Sequence, residues 1–361
     1  MGYEEYQILR KISNTKANFF YFFDKITSFF IKSKKIDSEY PKKILIIRND
    51  HIGDLVLCTQ IFRELKKTYP EAEITALVSP LAKPIIEKNK NVDKIIPLGL
   101  FWRKRNISSF IEYFKVLRKL RKERFDVGVD VRGSVINIFS LLWLAGIKKR
   151  IGYYNLTGGK AFLTNPIKLK KQKHTIKIDL DLVKEGLNLG KVNYYPEIIT
   201  DKEDEKAVSR FIKEKDLKNF ICIVPGAKTR AKDRKWPEEN FTELVKNFSK
   251  KYPNYKILLI GGSEDKTLID NLTLNKNCLP IINFNLRELS IIFKKSKMVI
   301  ANDGGPMHIA WVSGAELIFL WGSVNPITMR ALKNSVIIMD KNHDISKISL
   351  ERVEKEINKI I

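Results

Sequence analysis

The sequence predicts an α/β fold built from two parallel, doubly wound β-sheets. Short runs of β-branched and aliphatic residues recur along the chain and alternate with segments of helical periodicity. This alternation is typical of right-handed βαβ units, whose strands lie parallel under covering helices. A polar stretch at residues 191–205 separates two such series. Because a chain of 361 residues is too long for one simple core, we expect two domains of ordinary size.

The two series of predicted strands have the same organisation. In the first half they are residues 44–47, 74–78, 92–96, 127–131 and 150–153, and in the second half residues 221–224, 257–260, 279–282, 298–301, 317–320 and 336–339. We therefore expect one Rossmann-like domain at residues 41–195, a second at 196–340 and a closing helix at 341–361. Two such domains facing each other across a cleft would present their strand ends to a ligand.

Residues 1–40 form an aromatic and basic extension. Apolar residues recur there at helical spacing and lysines follow them (Phe19, Phe22, Phe23, Ile26, Phe29 and Phe30, then Lys32, Lys34 and Lys35). Because Asp24 and Lys25 interrupt the apolar run, it is too short and too charged to span a bilayer, and no small-residue cleavage site follows it. Two interpretations stay open, a helix lying on an anionic membrane face and a helix packed on the next domain.

Composition limits the partners and the compartment. The net charge of +25 indicates an anionic partner, either nucleic acid, an acidic membrane surface, or a phosphorylated or carboxylated substrate. Part of this charge excess can also reflect a heat-adapted or AT-rich source. The three cysteines show no C-x-x-C spacing, which favours a reducing cytosol over a zinc site or a disulfide framework.

The most informative stretch is residues 298–311, MVIANDGGPMHIAW, which predicts a buried strand, a tight turn and a helix. Gly304 and Gly305 let the backbone turn sharply and approach a ligand, and Pro306 suits the first helical position. The N–H groups at the start of such a helix make an anion site. Asp303 and His308 flank this site at the carboxyl end of a strand, where α/β sheets bind ligands. The alternative is a plain turn with a capping aspartate and a packed histidine.

Two further loops follow strands of the second half. Residues 228–235, KTRAKDRK, place five cations in eight residues between a strand and a helix, which favours a diphosphate site over a solvated surface run. Residues 261–265, GGSED, suit contact with a nucleoside ribose through Glu264 or Asp265, or a plain turn with an N-cap. We favour the plain turn.

The first βα loop, residues 48–54, holds the candidate general base. Asp54 begins a predicted helix, whose N-terminus would keep its carboxylate ionised, and capping is its alternative role. Arg48 and His51 share the loop and suit an anionic acceptor. Asp179 and Asp181 form a D-x-D pattern, but within a helix residues at i and i+2 point to different faces, so we expect a surface role.

These three groups of residues, 48–54, 225–237 and 302–308, give the chain a resemblance to glycosyltransferase family 9. The family includes the ADP-heptose:lipopolysaccharide heptosyltransferases. The motifs are R-x-D-x-x-G-D, P-G-A followed by K-W-P, and D-G-G-P-x-H, and the resemblance runs from about residue 42 to about residue 330. It implies a GT-B fold of two Rossmann-like domains, with the donor nucleotide on the C-terminal domain and the acceptor on the N-terminal one.

The resemblance also implies roles for single residues. Asp54 falls on the family's general base and Asp303 on the acid that holds the donor sugar. Three residues fall on the donor-phosphate turn (Gly304, Gly305 and His308). The phosphate-binding loop is matched by Lys228 and Thr229, while Arg234 replaces its lysine, so Lys232 or Lys235 is an alternative. Glu264 lies close to the position of the ribose-binding acid. Arg48, His51 and Arg132 are assigned to acceptor binding.

The implied reaction is a metal-independent, inverting transfer of a heptose or related sugar, with no cofactor. Its donor is a nucleotide sugar, commonly ADP-heptose, and its acceptor an anionic glycolipid of the lipopolysaccharide core or cell envelope. That places the protein in the cytoplasm, peripherally on the inner membrane, without a nucleic-acid partner. The alternatives are a non-catalytic basic protein, recognised by salt-sensitive binding to nucleic acid or to an anionic membrane, and a nicotinamide oxidoreductase, which the absence of G-x-G-x-x-G disfavours.

Overall fold

The computed structural model describes residues 14–31, 33–36, 40–99, 106–170, 173–227, 234–322 and 335–361. The chain divides into two compact units, Met1–Pro196 (unit 1) and Glu197–Ile361 (unit 2). Each unit contains a six-stranded sheet in which every strand pair is parallel. The predicted α/β class with two parallel sheets is confirmed.

Unit 1 begins with a helix and continues as alternating strands and helices. Its strands are β1 (Lys43–Arg48), β2 (Glu73–Val78), β3 (Lys94–Pro97), β4 (Val127–Asp130), β5 (Lys149–Tyr153) and β6 (Asn165–Ile167). Its helices are α1 (Asn14–Phe30), α2 (Ile52–Val56), α3 (Gln60–Thr68), α4 (Ile107–Glu123) and α5 (Thr175–Leu187), with a π-helical segment at Asn137–Trp143 and 3-10 turns at Lys83–Ile85 and Lys160–Phe162.

Unit 2 repeats this alternation. Its strands are β7 (Phe220–Val224), β8 (Lys256–Gly261), β9 (Cys278–Ile282), β10 (Val299–Asn302), β11 (Leu317–Trp321) and β12 (Ser335–Met339). Its helices are α6 (Lys202–Glu214), α7 (Glu238–Lys251), α8 (Lys266–Leu272), α9 (Leu286–Lys295), α10 (Gly305–Ser313) and α11 (Leu350–Ile360), with 3-10 turns at Ser263–Asp265 and Ile345–Lys347.

Both sheets have the same strand order. Unit 1 runs β3-β2-β1-β4-β5-β6, and unit 2 runs β9-β8-β7-β10-β11-β12. In each unit the order reverses between the first and the fourth strand. In open α/β sheets ligands bind outside the carboxyl ends of the strands at this switch point. The loops after β1, β4, β7 and β10 are therefore the places to look for a site.

Three of the four strands that flank the switch points are buried along their whole length, and β1 is buried except at Lys43, as expected for parallel strands covered on both faces. Every residue of β4, β7 and β10 is buried. On one face of the unit 2 sheet the core includes Ile221, Ile223 and Phe241. Trp236 belongs to the same cluster, and its indole N–H donates to Ile348 O at 2.9 Å. That bond fixes the chain immediately after the basic loop.

Two local differences from the predicted elements lie in unit 1, and in unit 2 the closing helix expected at residues 341–361 begins only at Leu350. The single helix predicted to begin at Asp54 is instead two helices, α2 and α3. Between them Thr59 Oγ1 donates to Val56 O at 2.9 Å and Gln60 Nε2 donates to Leu57 O at 3.0 Å. Side-chain donors of this kind compete with the helical ladder. Strand β6 was not predicted, since its three residues around Pro166 give no alternation to read.

Helix α1 packs on unit 1 by one face. Asp24 is buried, and its Oδ1 accepts from the backbone N–H groups of Gly159 at 2.6 Å and Lys160 at 3.1 Å. The ring of Phe23 lies 6.3 Å from that of Phe162. The packing interpretation of this helix is therefore correct for that face. Across the described ranges of the chain, we find no helix with the length and apolar character that crossing a membrane requires.

Candidate active site at the two switch points

Arg48, the last residue of β1, is the hub of the polar cluster in unit 1. Its buried guanidinium contacts three carboxylates: Nε lies 3.2 Å from Asp50 Oδ1, Nη2 lies 3.2 Å from Asp54 Oδ1, and Nη1 lies 3.5 Å from Asp179 Oδ1. Nη1 also donates to Val131 O at 3.0 Å. Burial opposes the charge of Arg48, but the carboxylates raise its pKa above the usual value. One cation thus ties β1, α2, α5 and the end of β4 together.

Asp54 is held by both of its oxygens and still reaches solvent. It is the third residue of α2, Oδ1 faces Arg48, and Oδ2 lies 3.3 Å from His51 Nδ1. Its side chain remains 22% exposed. A general base must be oriented and must reach the hydroxyl that it deprotonates. The position of Asp54 is compatible with this role, and its assignment as the general base stays a prediction.

Asp179 corrects one prediction. The D-x-D pattern was expected at the surface, but Asp179 is buried against Arg48, and burial raises its pKa to about 8. Asp181 points elsewhere, and its carboxylate accepts from Lys173 Nζ and Tyr194 OH, both at 2.6 Å. The burial of Asp179 could have been predicted from the helical period, because Asp179 lies three residues after Ile176, which is also buried.

The loop after β4 adds further polar groups on the other side of the switch point. Arg132 Nε lies 3.7 Å from Asp50 Oδ2, so Asp50 bridges two arginines. Asp130 is buried, which raises its pKa to about 6, and it accepts from Asn137 Nδ2 at 3.0 Å. Asn137 Nδ2 also donates to Asn49 Oδ1 at 3.1 Å. The structure thus brings Arg48, the loop of His51 and Arg132 to one switch point. Asp130 and the amides of Asn49 and Asn137 were not predicted as part of this cluster.

In unit 2 the switch point is closed by Asn302, the last residue of β10. Its Nδ2 donates to Pro225 O at 2.6 Å, and its Oδ1 accepts from Trp236 N at 3.2 Å. The side chain is buried. One amide therefore joins the chain that enters the basic loop to the chain that leaves it. No role was predicted for Asn302 from the sequence, although its position at the end of a predicted strand was evident.

Asp303 follows directly and carries an ion pair. Its Oδ2 lies 3.6 Å from Arg234 Nη1, with Asp303 largely buried and Arg234 40% exposed. Lys235 is exposed beside Arg234. The remaining predicted members of the basic loop, Lys228, Thr229 and Lys232, lie outside the described residues. Their donor-binding role stays a prediction.

The turn from β10 into α10 leaves the backbone open. Gly304 has an extended conformation, φ −165° and ψ 173°, that any residue can adopt. A Cβ built on it would meet only Pro306 Cδ, at 3.8 Å. The fold therefore does not need glycine at this position, in contrast to the sharp turn expected from the sequence. Gly305 is the first residue of α10 and Pro306 the second rather than the first, so proline still occupies the turn whose N–H groups have no helical partner.

His308 lies in the first turns of α10 and is buried. The helix has nine residues, and its N-terminus combines the dipole with open backbone donors, which suits an anion. Neither Asp303 nor His308 is broadly exposed in the structure. Their predicted contacts with a donor therefore stay predictions.

The GGSED turn proves to be capped by Asp265. Asp265 Oδ2 accepts from Gly262 N at 3.0 Å, as the plain-turn interpretation expects. The same carboxylate lies against the loop after β7, since a Cβ on Gly226 would come within 2.3 Å of Asp265 Oδ1. Glu264 is exposed at this edge of the sheet. Glu264 is thus more exposed than Asp265, and its contact with a ribose stays a prediction.

The sequence profile of glycosyltransferase family 9 (heptosyltransferase) matches residues 113–359. The match covers Arg132, the Asn302 switch point and the α10 turn, and it begins after the loop that holds Arg48 and Asp54. It covers more than half of the chain. It decides against the two other function classes considered for this sequence, a non-catalytic basic protein and a nicotinamide oxidoreductase.

Curated relatives and solved structures cover most of the chain. Lipopolysaccharide heptosyltransferase 1 of Campylobacter coli is 24% identical over 342 residues, which span 87% of this chain and 96% of that protein. The structure of the Escherichia coli ADP-heptose lps heptosyltransferase II superposes with a TM-score of 0.74 at 21% identity, covering 88% of this chain and 98% of that one. E. coli heptosyltransferase WaaC, solved with ADP-2-deoxy-2-fluoro heptose, superposes with a TM-score of 0.71 at 18% identity and covers 88% of this chain and 100% of that chain.

These structural likenesses establish the fold, and the strand order within each of the two sheets agrees with it. The family profile establishes the kind of protein. The chain belongs to glycosyltransferase family 9 (heptosyltransferase), has the GT-B fold of that family, and is a glycosyltransferase.

Proposed function

We propose that the protein moves a heptose from ADP-heptose to a lipopolysaccharide-core or related cell-envelope glycolipid, with inversion at the anomeric carbon. Residues 41–195 would bind the acceptor and residues 196–340 the donor. The relatives named above support the sugar and the nucleotide, since they are called heptosyltransferases and one was solved with an ADP-heptose analogue. The observation that carries the proposal is Asp54, oriented by Arg48 and His51 and still open to solvent.

Asp54 acts as the general base in this reaction. Its carboxylate takes the proton of the acceptor hydroxyl while that oxygen attacks the anomeric carbon, and the bond from this carbon to the diphosphate oxygen breaks. ADP leaves with the electron pair. Attack from the face opposite the leaving group inverts the anomeric centre, as in inverting glycosidases. Arg48 and His51 fix the orientation of Asp54. Contact with the acceptor is a second proposed role of Arg48.

The leaving diphosphate gains negative charge, which unit 2 is suited to stabilise. The start of α10 offers backbone N–H groups, and Arg234 stands beside Asp303 at the same turn. The cations of residues 228–235 would complete the site. Fixed donors and cations of this kind replace a metal ion in stabilising developing charge. Asp303 would hold hydroxyls of the donor sugar.

The acceptor is proposed to be anionic and bound to the cytoplasmic face of the inner membrane. His51 and Arg132 lie in the two loops that flank the unit 1 switch point and would bind its acidic groups. The net charge of +25 supports an anionic partner. An anionic glycolipid would be such a partner, so the proposal includes no nucleic acid.

The test pairs donor binding with transfer. ADP-heptose should raise the melting temperature, with a stabilisation that grows with the logarithm of its concentration divided by its dissociation constant, and it should do so more than UDP- or GDP-sugars at the same concentration. Asp54→Asn should keep that stabilisation but lower the transfer rate by about 10²–10⁴-fold, the usual contribution of general-base catalysis. Asp181→Asn, with a carboxylate of similar exposure in the same unit, should transfer at the parental rate.

Two results would overturn parts of the proposal. Parental rates in Asp54→Asn would remove the base assignment. A panel in which no nucleotide sugar stabilises the protein would remove the donor class, whatever the behaviour of Asp54.

A further inference from the structure

Helix α4 of unit 1 has two apolar faces, of which only one packs on the core. Tyr113, Leu117 and Leu120 point inward and are buried. A second set at i, i+3, i+4 and i+7 is exposed to solvent (Ile107, Phe110, Ile111 and Phe114). Phe110 and Phe114 are 53% and 44% exposed. This spacing places the four side chains along one stripe of the helix. A solvated helix gains nothing from such a stripe.

Helix α1 presents a stripe of the same kind. Its inner face is fixed by Phe23 and Asp24, whereas its outer face is aromatic and exposed (Phe19, Phe22, Ile26, Phe29 and Phe30). Phe29 and Phe30 are 78% and 77% exposed. The helix is thus held on the rest of unit 1 by a buried carboxylate, while the side chains of this outer stripe are exposed to water.

Ring contacts connect the two helices through the π-helical segment. Phe162 lies 6.3 Å from Phe23 of α1 and 5.1 Å from Phe139, measured between ring centroids. On the other side Tyr113 of α4 hydrogen-bonds the hydroxyl of Ser140, and its ring lies 6.4 Å from Phe114. We call α1, the π-helical segment and α4 together the apolar face of unit 1.

Basic side chains continue this face. On α4 the exposed stripe is extended toward the C-terminus by Arg118, Arg121 and Lys122, which follow Phe114 at helical spacing. Lys34 and Lys35 are exposed just after α1. The carboxylate of Asp24 is consumed by backbone donors. The carboxylates of α4 lie off the stripe. Glu112 is one residue from Ile111 and two from Phe110 and Phe114, a spacing that places it on another face of the helix, and Glu123 Oε2 lies 2.9 Å from Lys43 Nζ.

We propose that the apolar face of unit 1 docks on an anionic lipid bilayer, with its phenylalanines in the headgroup region and its basic residues on lipid phosphates. The inference deepens the proposed function, from which it takes the membrane-bound acceptor. Amphipathic helices rich in phenylalanine and flanked by Lys and Arg bind such surfaces through apolar burial and charge attraction together. A second copy of the chain would bring one basic surface against another, whereas an anionic bilayer complements it.

The experiment uses the full-length protein and vesicle sedimentation. Vesicles of phosphatidylethanolamine with phosphatidylglycerol should bind the parent, vesicles of phosphatidylcholine should bind it far more weakly, and salt should weaken the binding. The double variant Phe110→Ser/Phe114→Ser should lower partitioning by at least about tenfold, because each exposed ring contributes apolar area. Arg118→Glu/Lys122→Glu should lower it on anionic vesicles only. Leu274→Ser, an exposed apolar residue of unit 2, should leave it unchanged.

Equal pelleting of the parent and the Phe110/Phe114 variant would overturn the proposal, and so would equal binding to both kinds of vesicle. A concentration-dependent dimer in light scattering, abolished by the same variant, would assign the face to a second copy instead. Stabilisation by ADP-heptose should be the same in parent and variants, since it reports on unit 2. If ADP-heptose failed to stabilise the parent while the parent still bound the vesicles, the proposed function would be contradicted but the docking surface would not.

Discussion

Asn302 accepts a hydrogen bond from the backbone N–H of Trp236, at 3.2 Å, on the edge of the sheet where β7 and β10 lie side by side. The same side chain donates to Pro225 O at 2.6 Å. The two partners flank residues 226–235, which include the basic loop. A buried primary amide can serve both ends at once because it carries a donor and an acceptor. The residue thus sets the width of the loop's base.

Asn302→Asp should weaken donor binding. A carboxylate still accepts from Trp236 N but cannot donate to Pro225 O, and it leaves a buried carbonyl facing a negative charge. A lost buried hydrogen bond costs about 1–3 kcal/mol, so we expect the KM for ADP-heptose to rise by about 5- to 150-fold, with a smaller change in kcat. Steady-state kinetics and the ADP-heptose-induced shift in melting temperature measure this.

Asn277→Asp is the matched control for this change. The Asn277 amide also donates to a proline carbonyl, Pro253 O at 3.2 Å, in the same unit but at an exposed site. It should leave the KM unchanged. An Asn302→Asp protein with parental KM would show that the base of the loop does not need this clamp.

Arg48→Lys should lower the transfer rate although the charge is kept. An ammonium cannot span three carboxylates that a planar guanidinium contacts through Nε, Nη1 and Nη2. Asp54 would lose its fixed orientation, so we expect kcat to fall by about 10²-fold, the scale of a misplaced catalytic group. The melting temperature should fall as well, because buried charges lose their partner.

Arg63→Lys controls for the substitution itself. Arg63 lies on α3 of the same unit and donates to Asn193 O at 2.9 Å and Tyr195 O at 3.1 Å at an exposed position. Its transfer rate should match the parent. If Arg48→Lys kept parental kcat, the arginine would be a purely structural link and the account of Asp54 would need another orienting group.

The two parallel sheets and the loops that hold the candidate site residues could be predicted from the sequence, because buried parallel strands give continuous apolar runs and α/β sheets bind ligands at the carboxyl ends of their strands. Asp54 and Asp303 were proposed as site residues on this basis, and their roles stay predictions. Asp179 and Asn302 were not, since their partners Arg48, Pro225 and Trp236 are distant in sequence. Contacts between residues that are far apart in sequence become visible only in the folded chain.

Gly304→Ala is predicted to weaken donor binding while leaving the stability of the protein unchanged. Its backbone is extended and a Cβ would meet nothing nearer than Pro306 Cδ at 3.8 Å. Gly304→Ala should therefore leave the melting temperature within about 1–2 °C of the parent, as a surface change within ±0.5 kcal/mol does in a chain of this size. A methyl group at the start of α10 would nevertheless obstruct a phosphate that approaches the backbone, so the KM for the donor should rise by at least about tenfold.

Gly190→Ala is the control, because a Cβ there also meets nothing within 4 Å and the residue is exposed in the segment that follows α5. It should change neither quantity. A Gly304→Ala protein with parental KM and parental stability would show that no ligand approaches this part of the backbone.

The buried carboxyl group of Asp179 predicts a pH dependence of stability. Burial raises its pKa to about 8, although Arg48 works against the shift, while an aspartate in an unfolded chain has a pKa of about 3.9. Between these values the folded protein keeps a proton that the unfolded chain has released. The contribution of Asp179 to the free energy of unfolding is therefore fully present below about pH 4 and declines as the pH rises to about 8. Asp179→Asn cannot titrate, so its stability relative to the parent should increase across this window, by at most about 1.4 kcal/mol per pH unit.

Urea unfolding of both proteins at several pH values measures the difference, and Asp181→Asn controls for the loss of one charge from α5. Parallel curves for parent and Asp179→Asn would show that Asp179 is ionised throughout and forms a permanent ion pair with Arg48.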